Sequence, residues 1–141
     1  MIRTASLIVL LFAAVHCGIS SAAERKECAV CGMYIDLYEK TAHVVYFDDG
    51  SSKVVCSLSC ATRLIRENQG KTKNVLAADF LTGKLINARD ALYIEGSDVP
   101  GVMSYTSRIA FRSRTDAEEF QRKHGGRIIS FEDALKHQTE E

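Results

Sequence analysis

The sequence lacks several features that would assign it to a specialised class of protein. It has no tryptophan, one proline and nine glycines, which excludes collagen-like and low-complexity chains. Its 18 basic and 18 acidic side chains cancel, so no excess positive charge attracts nucleic acid or anionic lipid. Hydrophobic residues make up 46% of the chain, enough for a folded core. We therefore expect a globular protein that does not bind nucleic acid.

The first 23 residues differ from the rest of the chain in their charge. Arg3 is their single charged side chain, an apolar run covers residues 6–19, and small residues end the segment at 21–23. This pattern is typical of a secretory signal peptide, because the apolar run is shorter than the roughly 20 residues of a membrane span. We predict that residues 1–23 are removed before Glu24 and that the protein is periplasmic. The alternative is an uncleaved membrane anchor.

Cys17 offers a second way of holding the protein at a membrane. A lipoprotein signal also ends in a cysteine after an apolar run, but it prefers a small residue just before that cysteine, and here the residue is His16. Lipidation of Cys17 would anchor the protein, whereas cleavage after Ala23 would remove this cysteine. Cleavage after Ala23 is the favoured interpretation.

The first half of the remaining chain predicts a hairpin followed by a helix. Residues 41–48 and 53–56 are rich in β-branched and aromatic side chains, and an Asp-Gly turn signal separates them. Ser57 or Ser59 can cap a helix whose apolar residues share one face and which ends by Gly70. Two further strands are predicted near residues 74–77 and 85–86.

The second half repeats the order strand, strand, helix, strand. A capping box from Thr115 to Glu118 predicts the start of the helix, and Gly125 its end. The predicted strands cover residues 91–95, 108–111 and 127–130, and a last short helix is capped by Ser130 with Asp133.

The repeated order predicts the fold class. We expect an α+β protein in which residues 24–141 form two small ββαβ units in tandem, over residues 24–89 and 90–141.

Four cysteines of the predicted mature chain are candidate ligands of a metal. They are Cys28, Cys31, Cys56 and Cys60: a CxxC pair, a gap of 24 residues, and a CxxxC pair. One pair precedes the predicted hairpin and the other follows it, so the returning chain brings the four sulfurs together. Three interpretations remain open: two disulfides, a tetrahedral zinc site, and a Cu(I) site that uses some of the thiolates with a thioether.

Two methionines favour the copper interpretation. Met33 follows Cys31 by two residues, with Gly32 between them to permit a tight turn. Thiolate and thioether are soft donors that suit Cu(I), although Met33 could instead fill the core. Met103 lies in a glycine-bearing loop and is a further candidate ligand. Histidines are weaker candidates, since the isolated His43 in a strand is more typical of a sheet residue than of a ligand.

The CxxCGM motif and several later stretches resemble the NosL family of copper chaperones, which serve nitrous oxide reductase. The resemblance covers nearly the whole predicted mature chain. The matching stretches are residues 28–35, which contain the CxxCGM motif, and residues 47–50, 93–97, 101–103, 109–111, 116–120 and 124–126.

The resemblance implies a fold, a cargo and a client. The fold would be two ββαβ units similar to those of organomercurial lyase. The cargo would be Cu(I), held by Cys31 and Met33 with Met103 as a further ligand. The clients would be nitrous oxide reductase, whose copper–sulfide centre needs copper, its membrane assembly complex, or a related copper enzyme. No enzymatic activity is implied.

Cys56 and Cys60 depart from the family pattern, because many members lack a second cysteine pair after the hairpin. These residues can complete the copper site or form a redox lock that releases the metal on oxidation. They also keep an alternative open, in which zinc or disulfides stabilise a binding module outside the cytoplasm that transfers no copper.

Overall fold

The structure is a computed structural model that describes residues 25–140, so the predicted signal peptide and Cys17 lie outside the described residues. Within this range the strands are β1 (His43–Phe47), β2 (Ser52–Val55), β3 (Thr72–Ala78), β4 (Leu85–Asn87), β5 (Leu92–Glu95), β6 (Arg108–Phe111) and β7 (Arg127–Ile129). The helices are α1 (Leu58–Glu67), α2 (Arg114–His124) and α3 (Phe131–Glu140). No helix in this part of the chain combines the length and the apolar character that crossing a bilayer requires.

The strands form two antiparallel sheets with the same arrangement. The first sheet has the order β2-β1-β3-β4 and the second the order β6-β5-β7. In each half the first strand is central, pairs with the second strand, and pairs on its other side with the strand that follows the helix. Both halves are therefore ββαβ units, and the predicted α+β fold is confirmed.

The first helix begins where its sequence predicts. Ser57 has an extended backbone, and its hydroxyl accepts a hydrogen bond from the amide of Cys60, which satisfies one of the unpaired N–H groups of the first turn. Leu58, Ala61 and Leu64 are buried on one face of α1, at the spacing of a helix that packs on a sheet. The helix ends at Glu67, three residues before Gly70.

The start of α2 differs from the predicted capping box at Thr115. The N-cap is Ser113, whose hydroxyl accepts a hydrogen bond from the amide of Asp116, so Thr115 lies within the helix. Ser113 and Asp116 have the same spacing as the predicted pair, and the extended backbone of Ser113 lets its hydroxyl reach that amide. The sequence alone does not decide which of these two overlapping patterns caps the helix, because the choice depends on how the chain leaves β6.

The two units pack against each other. A single hydrophobic cluster contains Val45 and Leu58 from the first unit and Tyr93 and Phe131 from the second. Backbone contacts also join the units, because the amide of Phe80 donates to the carbonyl of Ala110 at 2.8 Å. The division of the chain into units over residues 24–89 and 90–141 stays a prediction.

A buried histidine lies where the units meet. The Nδ1 atom of His43 is 2.9 Å from the carbonyl oxygen of Thr41, and its Nε2 atom is 3.0 Å from the hydroxyl of Tyr93. Because the carbonyl can only accept, Nδ1 carries the proton and donates, and Nε2 accepts from Tyr93. Burial lowers the pKa of His43 from its ordinary value of 6.5 to about 4, so the ring is neutral at physiological pH.

We expect this histidine to make the protein less stable in acid. Its folded pKa lies below its unfolded pKa, so the unfolded chain binds more protons between about pH 6.5 and pH 4. The stabilisation is complete above pH 6.5 and is lost as the pH falls towards 4, by about 3 kcal/mol in total. Denaturant unfolding of wild type and His43→Gln across this range measures it. The free energy of unfolding of the variant should fall less steeply with decreasing pH than that of wild type. Equal slopes for the two proteins would contradict a neutral, buried His43.

Candidate metal centre

The first cysteine pair lies on a tight turn that is closed by backbone hydrogen bonds. The amide of Gly32 donates to the carbonyl of Cys28 at 2.9 Å, and the amide of Cys28 donates to the carbonyl of Met33 at 2.8 Å. Gly32 has a φ of 76°, a left-handed conformation that favours glycine. The amide of Ala29 then donates to the carbonyl of Val54 at 3.0 Å. This bond fastens the turn to β2, immediately before Cys56.

The second pair lies where β2 passes into α1. Cys56 directly follows β2, and its carbonyl accepts a hydrogen bond from the hydroxyl of Thr41 at 2.8 Å. Cys60 is the third residue of α1, in the turn capped by Ser57. The cap therefore fixes both the start of the helix and the position of Cys60 relative to Cys56.

These elements bring the four sulfur atoms of Cys28, Cys31, Cys56 and Cys60 within 4.8 Å of one another. The Sγ atoms of Cys31 and Cys56 are 3.5 Å apart, and those of Cys56 and Cys60 are 3.8 Å apart. A tetrahedral site with metal–sulfur distances of about 2.3 Å has sulfurs separated by about 3.8 Å. All four are free cysteines in this structure, so no disulfide joins them there.

The four sulfurs differ in their access to solvent. Cys28, Cys56 and Cys60 are 3%, 0% and 2% exposed, whereas Cys31 is half-buried. Among the described residues this group of candidate ligands contains cysteines alone, without a histidine or a carboxylate. The centre is therefore a sulfur site, buried on three ligands and open to solvent at the fourth.

Proton sharing within the cluster favours one thiolate. The pKa of Cys56 falls from its ordinary value of 9.0 to about 5, chiefly because Cys60 can donate a hydrogen bond to its thiolate. Cys31 and Ser57 add to this effect. The pKa of Cys60 is raised because its proton is held by Cys56, and that of Cys31 is raised mainly by burial. The helix dipole favours a thiolate at Cys60 in the first turn of α1, but the neighbouring sulfurs lower the pKa of Cys56 and raise that of Cys60.

The two methionines occupy different positions around the cluster. Met33 is half-buried and packs against the hydrophobic cluster that includes Cys28, Cys56 and Cys60. Met103 lies in the loop between β5 and β6, is 51% exposed, and its carbonyl accepts a hydrogen bond from the hydroxyl of Ser59 at 2.6 Å. Because Ser59 precedes Cys60, the loop of the second unit reaches the turn of α1 that carries the metal centre.

The histidines take part in other contacts. Both ring nitrogens of His43 have partners, which leaves neither free to bind a metal. His124 lies 2.9 Å from the carboxylate of Asp98. His137 lies within α3 and 3.1 Å from the carboxylate of Glu95.

The sequence did not reveal two residues that position parts of the site. Thr41 contacts Cys56, and Ser59 contacts Met103. Ser59 was considered only as an alternative helix cap. The hydroxyl of Thr41 contacts Cys56, 15 residues away, and that of Ser59 contacts Met103, 44 residues away. No local pattern signals a hydrogen bond between residues this far apart in sequence.

We expect one thiol of the reduced, metal-free protein to ionise near pH 5, because the pKa of Cys56 is lowered to about 5. The ultraviolet absorbance of thiolate should rise through that pH, and Cys56→Ser should remove the step. Cys60→Ser keeps a hydrogen-bond donor beside Cys56 and should preserve the step, whereas Cys60→Ala should move it upward. If thiolate forms only near pH 8.5, the ordinary range of cysteine, the hydrogen-bonded arrangement is wrong.

Comparisons with known proteins identify relatives of the chain. The family model described as NosL matches residues 20–138. Among curated proteins none matches. A similar solved structure is that of the copper chaperone NosL from Shewanella denitrificans, with 27% sequence identity and a TM-score of 0.64. The match covers 76% of this chain and 87% of that chain. Because the family model covers most of the sequence, the chain belongs to the NosL family.

Proposed function

We propose that this protein is a periplasmic Cu(I) carrier that supplies copper to nitrous oxide reductase, its membrane assembly complex, or a related copper enzyme. The observation that carries the proposal is the cluster of four cysteine sulfurs within 4.8 Å. Soft thiolate donors suit Cu(I), and its NosL relative of solved structure is described as a copper chaperone.

The donor set supports copper in particular because Met33 supplies a thioether two residues after the thiol of Cys31. Cys31 and Met33 are the residues that match the family motif, and we assign both as ligands. Cys56 supplies a thiolate that is already ionised at neutral pH, while Cys28 and Cys60 complete the site. Thiol ligands that are still protonated must release their protons when the metal binds, so the affinity rises with pH.

The uneven burial of the sulfurs supports a route for release. Cys31 is half-buried and is the least buried of the four ligands, so a donor from the acceptor protein can approach the metal on that side. The incoming donor can bind before the buried thiolates let go, and the metal is never free in solution. A carrier needs this property more than it needs the highest affinity.

Client and location rest on the family and on the sequence pattern. Residues 1–23 have the pattern of a secretory signal, which supports delivery to the periplasm. Attachment to the membrane would require lipidation of Cys17. We propose a carrier without enzymatic activity, since the ligand group described here consists of thiols whose chemistry suits holding a metal.

A zinc-stabilised binding module is the second candidate function. The sulfur separations of 3.5 Å and 3.8 Å are close to those of a tetrahedral zinc site, and this observation favours it. Structural zinc sites supply folding energy, so such a module would unfold when the metal or one ligand is removed. A carrier folds without its cargo.

We expect the reduced, metal-free protein to be folded and to bind Cu(I) more tightly than Zn(II). Anaerobic titration against a colorimetric Cu(I) chelator measures the first affinity, and a zinc chelator the second. Met33→Leu, which keeps the volume and removes the thioether, should weaken Cu(I) binding by about tenfold, or about 1.4 kcal/mol, and leave Zn(II) binding unchanged.

Two outcomes of this titration would contradict the carrier. One is folding only after Zn(II) is added, which would indicate a structural zinc site. The other is full Cu(I) affinity in a variant that lacks both Cys31 and Met33, which would exclude the ligands assigned here.

We also expect exposed and buried ligands to affect copper transfer in opposite directions. Cys31→Ser should slow transfer to a thiol acceptor more than it weakens binding, because the sulfur of this least buried ligand provides the exchange route. Cys28→Ser, the matched change at the buried member of the same CxxC pair, should weaken binding and speed release. Stopped-flow transfer to a chelator measures both rates, and equal effects would argue against Cys31 as the exchange ligand.

A further inference from the structure

The loop between β5 and β6 is tightly built in its central part. A side chain at Gly101 would lie 2.2 Å from the carbonyl oxygen of Ser104 and 3.0 Å from that of Thr106, so a residue with a side chain does not fit there. The hydroxyl of Ser104 donates to the carbonyl of Thr106 at 2.9 Å and accepts from its amide at 3.2 Å. These contacts fold residues 101–106 back on themselves.

Met103, at the centre of this loop, has a strained backbone. Its φ of 56° makes it the single non-glycine residue with a positive φ within the described residues. A left-handed conformation costs a residue with a side chain roughly 1 kcal/mol, so surrounding contacts must hold it. The hydroxyl of Ser59 supplies such a contact, because it donates to the carbonyl of Met103 at 2.6 Å.

Ser59 is free for this contact because another residue caps the helix. The capping bond to the amide of Cys60 is made by the hydroxyl of Ser57. Ser59, one residue before Cys60, instead directs its hydroxyl across to the second unit. Its hydrogen bond therefore links the turn of α1 that bears the metal ligand to the loop that bears Met103.

A buried ion pair anchors the far side of the loop. The guanidinium of Arg108 donates to the carboxylate of Glu95 at 2.8 Å, and both side chains are nearly inaccessible to solvent. The same guanidinium lies 3.4 Å from the hydroxyl of Ser104. The loop is thus held at its base by Arg108 and at its tip by Ser59, while the side chain of Met103 remains half exposed.

We propose that Ser59 is a positioning residue that holds Met103 against the turn of α1 that bears Cys60, so that the thioether can meet Cu(I) bound at the cysteine cluster. The inference rests on the proposed copper function and on Met103 as a ligand. A thioether is a weak ligand. It adds nothing to the Cu(I) affinity if the free energy needed to order the loop equals the free energy gained from the copper–sulfur bond. The bond from Ser59 lowers that cost, because the strained conformation of Met103 is already present before the metal binds.

The test is a double-mutant cycle in the full protein, with Ser59→Ala, Met103→Leu and the two combined. We expect each single variant to weaken Cu(I) binding, Ser59→Ala by up to about tenfold, the range of one hydrogen bond. In the Met103→Leu background, Ser59→Ala should have no further effect on Cu(I). Zn(II) affinity should not change, because zinc rarely binds methionine sulfur.

Two further variants separate positioning from stability. Ser59→Thr keeps the hydroxyl and should restore Cu(I) binding. Ser113→Ala removes a serine hydrogen bond of α2 instead, and it should lower the melting temperature without changing Cu(I) affinity.

The outcomes distinguish this inference from the proposed function. Wild-type protein that prefers Zn(II) would overturn both. Tight Cu(I) binding by wild type with no effect of Met103→Leu, or with additive losses in the double variant, would overturn the role of Ser59 and leave the copper function intact. Non-additive losses in Cu(I) affinity with rescue by Ser59→Thr would support the role.

Discussion

The metal centre depends on one constraint, which is that two short chain segments far apart in sequence must present their sulfurs to the same small volume. The hairpin formed by β1 and β2 returns the chain, and the hydrogen bond from Ala29 to Val54 fastens the first cysteine turn to the edge of that hairpin. Ser57 then starts α1 at once, so that Cys60 faces Cys56. If the first cysteine turn were shifted by one residue along β2, its two cysteines would move away from Cys56 and Cys60, because side chains alternate between the two faces of a strand.

The second unit contributes to this site without supplying any of its cysteines. Its sheet and α3 contribute residues to the hydrophobic cluster that contains Cys28, Cys56 and Cys60, and the hydroxyl of Tyr93 contacts His43 in β1. Its long loop reaches α1 through the contact between Ser59 and Met103.

Burial of the sulfurs controls the balance between holding and releasing a metal. An isolated buried thiolate would be unfavourable, but hydrogen bonds from neighbouring groups stabilise the charge on Cys56. The lowered pKa of Cys56 favours one anionic sulfur in the cluster before any metal binds. Cys31, the half-buried member, is the sulfur residue with the most access to solvent.

Local patterns in the sequence determined much of the fold and the identity of the candidate ligands. Strand and turn residues predicted the hairpin, Ser57 was one of two serines predicted to cap α1, and the position of the cysteine pairs on either side of the hairpin predicted that they meet. The hairpin and the cap could be predicted because they depend on neighbours along the chain. The start of α2 was misplaced because Ser113 and Thr115 both match a cap. Only the tertiary structure decided which cysteine has a lowered pKa, which ligand is least buried, and that Ser59 contacts Met103. Each of these depends on distances and burial between residues far apart in sequence, and packing alone sets them.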